Sequence, residues 1–79
     1  MNNGYVHQKS IEVFARILGV DPATISVDSS PATISEWDSL AHVQLILELE
    51  KAFDIQISPD QAMEFENFKM VTDWISTQV

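Results

Sequence analysis

The chain has 79 residues, 46% of them apolar and 20% charged, and its twelve Asp and Glu against four Lys and Arg give a formal net charge of −8 at pH 7. That length makes one domain, 1–79, whose fold hides only about 60% of the surface of the unfolded chain; a walled pocket of the kind a self-contained enzyme needs is not expected. The acidic surface repels phosphate backbones and anionic lipid, which excludes nucleic acid as a partner and disfavours membrane surfaces, and it complements proteins with basic patches.

At the start of the chain, Met1 to Tyr5 show no basic segment followed by an apolar run, so neither a signal peptide nor a membrane span is expected. The chain has no cysteine. Disulfides, a thiolate nucleophile and Cys-based metal sites are therefore excluded, and the cytoplasm is the expected compartment. A first helix is expected over Val6–Leu18, where Ile11, Phe14, Ile17 and Leu18 make an i, i+3, i+6, i+7 stripe; Gly19 and Asp21-Pro22 stop it.

From Gly19 to Trp37 the composition is that of a long loop. Asp21-Pro22-Ala23-Thr24 has the form of a single helical turn with Asp as cap, and Ile25, Val27, Ile34 and Trp37 are candidates to pin the loop to the helices. A second helix is expected over Ser39–Phe53. At about 100° per residue, His42, Leu45, Ile46, Leu49 and Phe53 share one arc, the expected core face. Leu40, Gln44, Leu47 and Lys51 fall on the opposite arc, with Val43 and Asp54 at its edge, so two leucines are placed where solvent is expected.

Ser58-Pro59-Asp60-Gln61 reads as a helix start, with Ser as cap, Pro in the first turn and Gln61 closing a capping box, opening a short helix through Glu64. The last helix begins near Asn67 and carries Phe68, Val71, Trp74 and Ile75 at the same helical spacing. The fold class is therefore all-α: a small four-helix bundle, three main helices and one short one, with a long first loop.

Chemistry concentrates at Trp37-Asp38-Ser39-Leu40. Asp38 and Ser39 are both favoured N-caps, and either one satisfies a free amide at the start of the second helix. A hydroxyl at that place is also exposed, beside backbone amides and a helix dipole that favour an attached phosphate. Asp38 adds a carboxylate suited to a divalent metal during phosphoryl transfer. Leu40 and Leu47 supply apolar surface nearby, and Glu48, Glu50 and Asp54 an acidic rim.

The run Asp38-Ser39-Leu40, then Val43, Leu45, Glu48-Leu49-Glu50, Phe53-Asp54 and the Ile55/Ile57 pair, resembles the acyl carrier protein family. With the Ser58 cap and Trp74-Ile75, the resemblance covers essentially the whole chain. It implies that Ser39 carries covalent 4′-phosphopantetheine, placed there by a phosphopantetheinyl transferase with Asp38 as a metal or transferase contact. It implies a carrier and not a catalyst, with no catalytic residue; a resident metal is not expected either, because the carboxylates show no twelve-residue calcium-loop spacing. The partners would be acyl-loading and acyl-using enzymes of fatty-acid, polyketide or related biosynthesis, whose basic patches meet Leu40, Val43, Gln44, Leu47, Glu48, Glu50, Lys51 and Asp54. A shuttle of this kind is expected to be a monomer, and the neighbours of Glu64-Phe65-Glu66 to line an acyl cavity between the second and third helices.

The chain also departs from the family pattern. Trp37 stands where fatty-acid carriers often have a small residue, and Gln44 and Lys51 where they are commonly acidic. Trp-Asp-Ser occurs in accessory carriers and in aminoacyl carriers as well. An aminoacyl or peptidyl carrier with the same arm is therefore a second expectation, and an acidic interaction module in which Ser39 is only a cap is a third. A Ser39–His42 nucleophile pair is disfavoured, since the two lie about 60° apart on the helical wheel and lack a third orienting group. Trp37, Trp74, Met63 and Met70 are expected to fill the core, and His7 is assigned no role.

Overall fold

A computed structural model describes residues 3–79, and all regular structure among them is helical. Helix α1 spans Asn3–Leu18, a 3-10 turn Pro22–Thr24, α2 Ser39–Phe53, α3 Pro59–Glu64 and α4 Phe68–Gln78. This is the expected all-α bundle of three main helices and one short one with a long first loop. None of the described helices is long and apolar enough to cross a membrane.

Local chemistry sets each boundary. Gly19 ends α1 with φ of +69°, the left-handed conformation that glycine adopts without strain. Asp21 caps the 3-10 turn by accepting from the Ala23 amide. Ser58 caps α3 through Gln61 N–H, and Asn67 caps α4 through Met70 N–H. Of the capping box expected at α3, only the Ser58 half forms among the described residues.

Helix α1 begins three residues earlier than Val6, at Asn3. Its buried stripe is Val6, Ser10, Val13, Phe14 and Leu18, while Ile11 and Ile17 are only half-buried. Ser10 occupies one position of that stripe, so a search for apolar spacing alone misses its centre. On α2 the buried residues are Ala41, Leu45, Leu49 and Phe53; His42 and Ile46 sit half-buried at the edge of the expected core face. Phe68, Val71 and Ile75 of α4 are buried and Trp74 is half-buried. Helix α1 packs against both α2 and α4.

Backbone bonds and three apolar anchors hold the long loop. Ile25, Ile34 and Trp37 are buried as expected, but Val27 is 44% exposed. It is the Val27 carbonyl, not its side chain, that fastens the loop: it accepts from Lys69 N–H at 3.2 Å, and Ser29 O accepts from Phe68 N–H at 2.8 Å. Two amides of the first turn of α4, which find no partner inside their own helix, are satisfied in this way. Met63 and Met70 do not fill the core. They are 81% and 38% exposed, and α3 buries none of its residues, so Met63 has no core to enter.

Candidate functional site

Asp38 and Ser39, both candidate caps by sequence, take different roles. Asp38 has extended backbone and its Oδ1 accepts from Ala41 N–H at 2.8 Å. Ser39 is the first residue of α2. Its side chain is exposed, and its hydroxyl has no hydrogen-bond partner among the described residues. The Ser39 and Leu40 amides belong to the first turn and have no acceptor within the helix. An accessible alcohol thus stands beside two outward N–H groups at the positive end of a 15-residue helix.

The residues just before Ser39 are fixed in the core. Trp37 is 2% exposed, its amide donates to Ile34 O at 3.0 Å, and its ring meets Phe14 edge-on at 5.1 Å. Phe14 in turn meets Phe68 at 4.9 Å, so the strand of chain leading to Ser39 is anchored to α1 and α4.

His42 is engaged at both ring nitrogens. Nδ1 accepts from the Trp37 indole N–H at 3.0 Å, and Nε2 lies 2.8 Å from Ala62 O in α3. An indole N–H only donates and a carbonyl only accepts, which assigns the proton to Nε2 of a neutral ring. Neither nitrogen remains to take a proton from Ser39, and the nucleophile pair is ruled out on geometry.

Two grooves share His42 and Met63, and the first of them reaches the serine. One, of about 520 Å³, opens at Ser39 between Pro31, Trp37, Met63 and Phe65. The other, of about 370 Å³, runs between α2 and α3 and is lined by Val43, Ile46, Leu47, Ile57 and Met63 among others. It lies in the region where the family resemblance implied an acyl cavity. Phe65 is buried while Glu64 and Glu66 are exposed.

The expected docking residues divide into two groups. Leu40, Val43 and Leu47 are 70%, 56% and 52% exposed, a row of apolar side chains on the outer face of α2. Gln44, Lys51 and Asp54 are also exposed. Glu48 and Glu50 are only half-buried and are committed within the fold. Glu48 pairs with Arg16 of α1 at 3.2 Å and Lys51 at 3.6 Å. Glu50 Oε2 accepts from Ile57 N–H at 2.8 Å. Charge on this face is therefore lower than a count of carboxylates gives. The sequence did not point to Met63 and Pro31 as groove residues; for Met63 the signal was present, in a six-residue helix too short and polar to bury one face.

A family model for the phosphopantetheine attachment site matches residues 11–75. The chain is 33% identical over 79 residues to an acyl carrier protein of Guillardia theta, covering all of this chain and 98% of that protein. It is 32% identical over 74 residues to an acyl carrier protein of Amoebophilus asiaticus, covering 94% and 92% of the two. A third acyl carrier protein, from Rubrobacter xylanophilus, is 33% identical over 75 residues, 95% of this chain and 93% of its own. A helical bundle with a phosphopantetheine attachment site defines the class, that of prosthetic-group carriers. The chain belongs to the acyl carrier protein family, and its cofactor is covalently attached 4′-phosphopantetheine. An exposed, unpartnered hydroxyl beside free first-turn amides, next to an apolar groove, fits such a group.

Proposed function

We propose that Ser39 is the attachment point and that the chain, a single carrier domain, is a monomeric cytoplasmic acyl carrier serving a dedicated biosynthetic pathway. The observation that carries this reading is the division of labour at the start of α2: Asp38 takes the cap, which leaves the Ser39 oxygen accessible and unbonded. The arm, once attached, supplies a terminal thiol that holds an acyl group as a thioester.

The chain's own residues do the positioning. Trp37 and Phe14 hold the segment in place, so the hydroxyl is presented without a loop having to order first. The Ser39 and Leu40 amides are free to donate to the oxygens of an attached phosphate. Asp38 Oδ1 is used by the cap; Oδ2 has no bond among the described residues, and we assign it to the transferase's divalent cation. Leu40, Val43 and Leu47 provide the apolar centre of the docking face, with Gln44, Lys51 and Asp54 at its rim. With Lys51 present and Glu48 paired, partners are selected less by bulk negative charge than a net charge of −8 implies. The apolar lining of both grooves supports an acyl cargo over an aminoacyl one.

Incubation with coenzyme A and a broad-specificity phosphopantetheinyl transferase is expected to give one adduct by intact mass, and Ser39→Ala none. An unmodified wild type, or an adduct retained in Ser39→Ala, overturns the assignment. The holo chain is then offered to acyl-carrier ligases and to aminoacyl-adenylating enzymes. Loading by the second set alone would replace the acyl reading with the aminoacyl one.

A further inference from the structure

Of the four Lys and Arg residues in the chain, two meet on one carboxylate. Glu48 takes Arg16 of α1 at 3.2 Å on Oε1 and Lys51 of α2 at 3.6 Å on Oε2. The Arg16 and Lys51 side chains are 60% and 75% exposed, and that of Glu48 only 27%. Two open cations over one sheltered anion leave positive charge outermost on the side of the docking row that faces α1. Gln44, one turn before Glu48 on the same side, adds no charge. Glu12, exposed one turn before Arg16 on α1, brings this side to neutrality at most. The opposite side of the row differs. There Val43 and Glu50 line the groove shared with α3, and the segment 54–66, which contains α3, holds Asp54, Asp60, Glu64 and Glu66, all exposed, with no Lys or Arg.

We propose that the docking face of α2 is two-signed, and that the enzyme it fits sets a carboxylate opposite Arg16 and Lys51 and basic residues opposite α3, with the apolar row between them. The inference deepens the carrier reading and rests on it. An apolar row alone leaves a partner free to dock in either direction along the helix. Opposite signs on its two sides select one orientation, and a patch that is basic throughout meets Lys51 with like charge. Each exposed pair is weak, so the effect falls on encounter and on choice among partners. Arg16 and Lys51 are thus specificity-determining residues, and Glu48 positions both.

The test uses as probe a phosphopantetheinyl transferase whose carrier-binding patch is basic throughout, with coenzyme A, and follows adduct formation by intact mass. Lys51→Glu is expected to lower KM about two- to fivefold at low salt, in KM and not in kcat. That gain should vanish at about 0.5 M sodium chloride. Arg16→Gln, which releases Glu48, should act in the same direction, and Glu64→Lys should raise KM. Lys69→Glu changes the net charge by the same amount on α4, where Lys69 pairs with Asp73, and is expected to leave KM unchanged. Reversing the transferase's basic patch residues to glutamate one at a time completes the test: at least one reversal should lower KM for wild type and raise it for Lys51→Glu. An unchanged or higher KM for Lys51→Glu, an equal gain for Lys69→Glu, or a reversal series with no such crossover overturns the proposal. A wild type that gains no mass at saturating transferase overturns the carrier reading instead, and the two failures are told apart before any KM is measured.

Discussion

Leu47 and Leu49 lie two residues apart on α2 and face opposite ways: Leu49 is 1% exposed and Leu47 is 52% exposed. Leu49→Ala removes about three buried carbons, worth about 2.4 kcal/mol in transfer free energy at roughly 0.8 kcal/mol each. The cavity left behind brings the expected cost to about 3–5 kcal/mol. At about 0.05–0.15 kcal/mol per residue, a chain of 79 residues holds roughly 4–12 kcal/mol in all. The substitution therefore consumes a large share of the stability, and Tm should fall by about 12 °C or more. Leu47→Arg keeps a good helix former and leaves no cavity, so its effect should stay within about 0.5 kcal/mol. Scanning calorimetry on both variants, with far-ultraviolet circular dichroism, decides the matter. A drop for Leu47→Arg equal to that for Leu49→Ala would show that the outer face of α2 is packed, and the docking row would be lost with it. If stability holds, Leu47→Arg should instead slow transfer to partner enzymes.

Asp38→Ala loses the bond to the Ala41 amide and should cost about 1 kcal/mol by thermal unfolding as well as slowing loading; Asp38→Asn should recover the stability but not the rate, and recovery of both would remove the cation contact. Ser10→Ala deletes a hydroxyl that is fully buried and has no partner among the described residues, so Tm should hold or rise, by up to about 1 kcal/mol in denaturant titration. A clear loss there would mean that the hydroxyl is bonded. Glu50→Ala strips Ile57 N–H of its acceptor and should destabilise by about 1 kcal/mol, whereas a residue serving only as acidic rim would change partner affinity and leave Tm alone.

Much of this arrangement is written in local patterns. The α2 boundaries, the outward row of Leu40 and Leu47, and the caps at Asp21, Ser58 and Asn67 follow from periodicity and from which side chains accept from free amides. What sequence left open at Asp38 and Ser39 was a matter of backbone dihedral: only the residue in extended conformation caps, and that is Asp38. The misplaced residues share another cause. Val27, Met63 and Met70 are apolar, and hydropathy assigns them inward, but burial depends on whether a facing element exists. Val27 contributes its carbonyl instead, and α3 is too short to provide an inner face. The His42 bridge joins residues from a loop, α2 and α3, separated by 5 and 20 positions, and no helical spacing announces it. Glu48 likewise reads as surface charge until Arg16, 32 residues away, is found beside it.

Peptide-level mass mapping after enzymatic loading tests the carrier assignment at the level of a single atom's bond. The phosphopantetheine increment should localise to the peptide containing Ser39, and fragmentation should place it on that residue and not on Ser35, which lies four positions earlier in the same stretch. An increment on Ser35 or any other serine, or none under conditions that load a known acyl carrier protein in the same tube, would show that the hydroxyl at the head of α2 is not the tether.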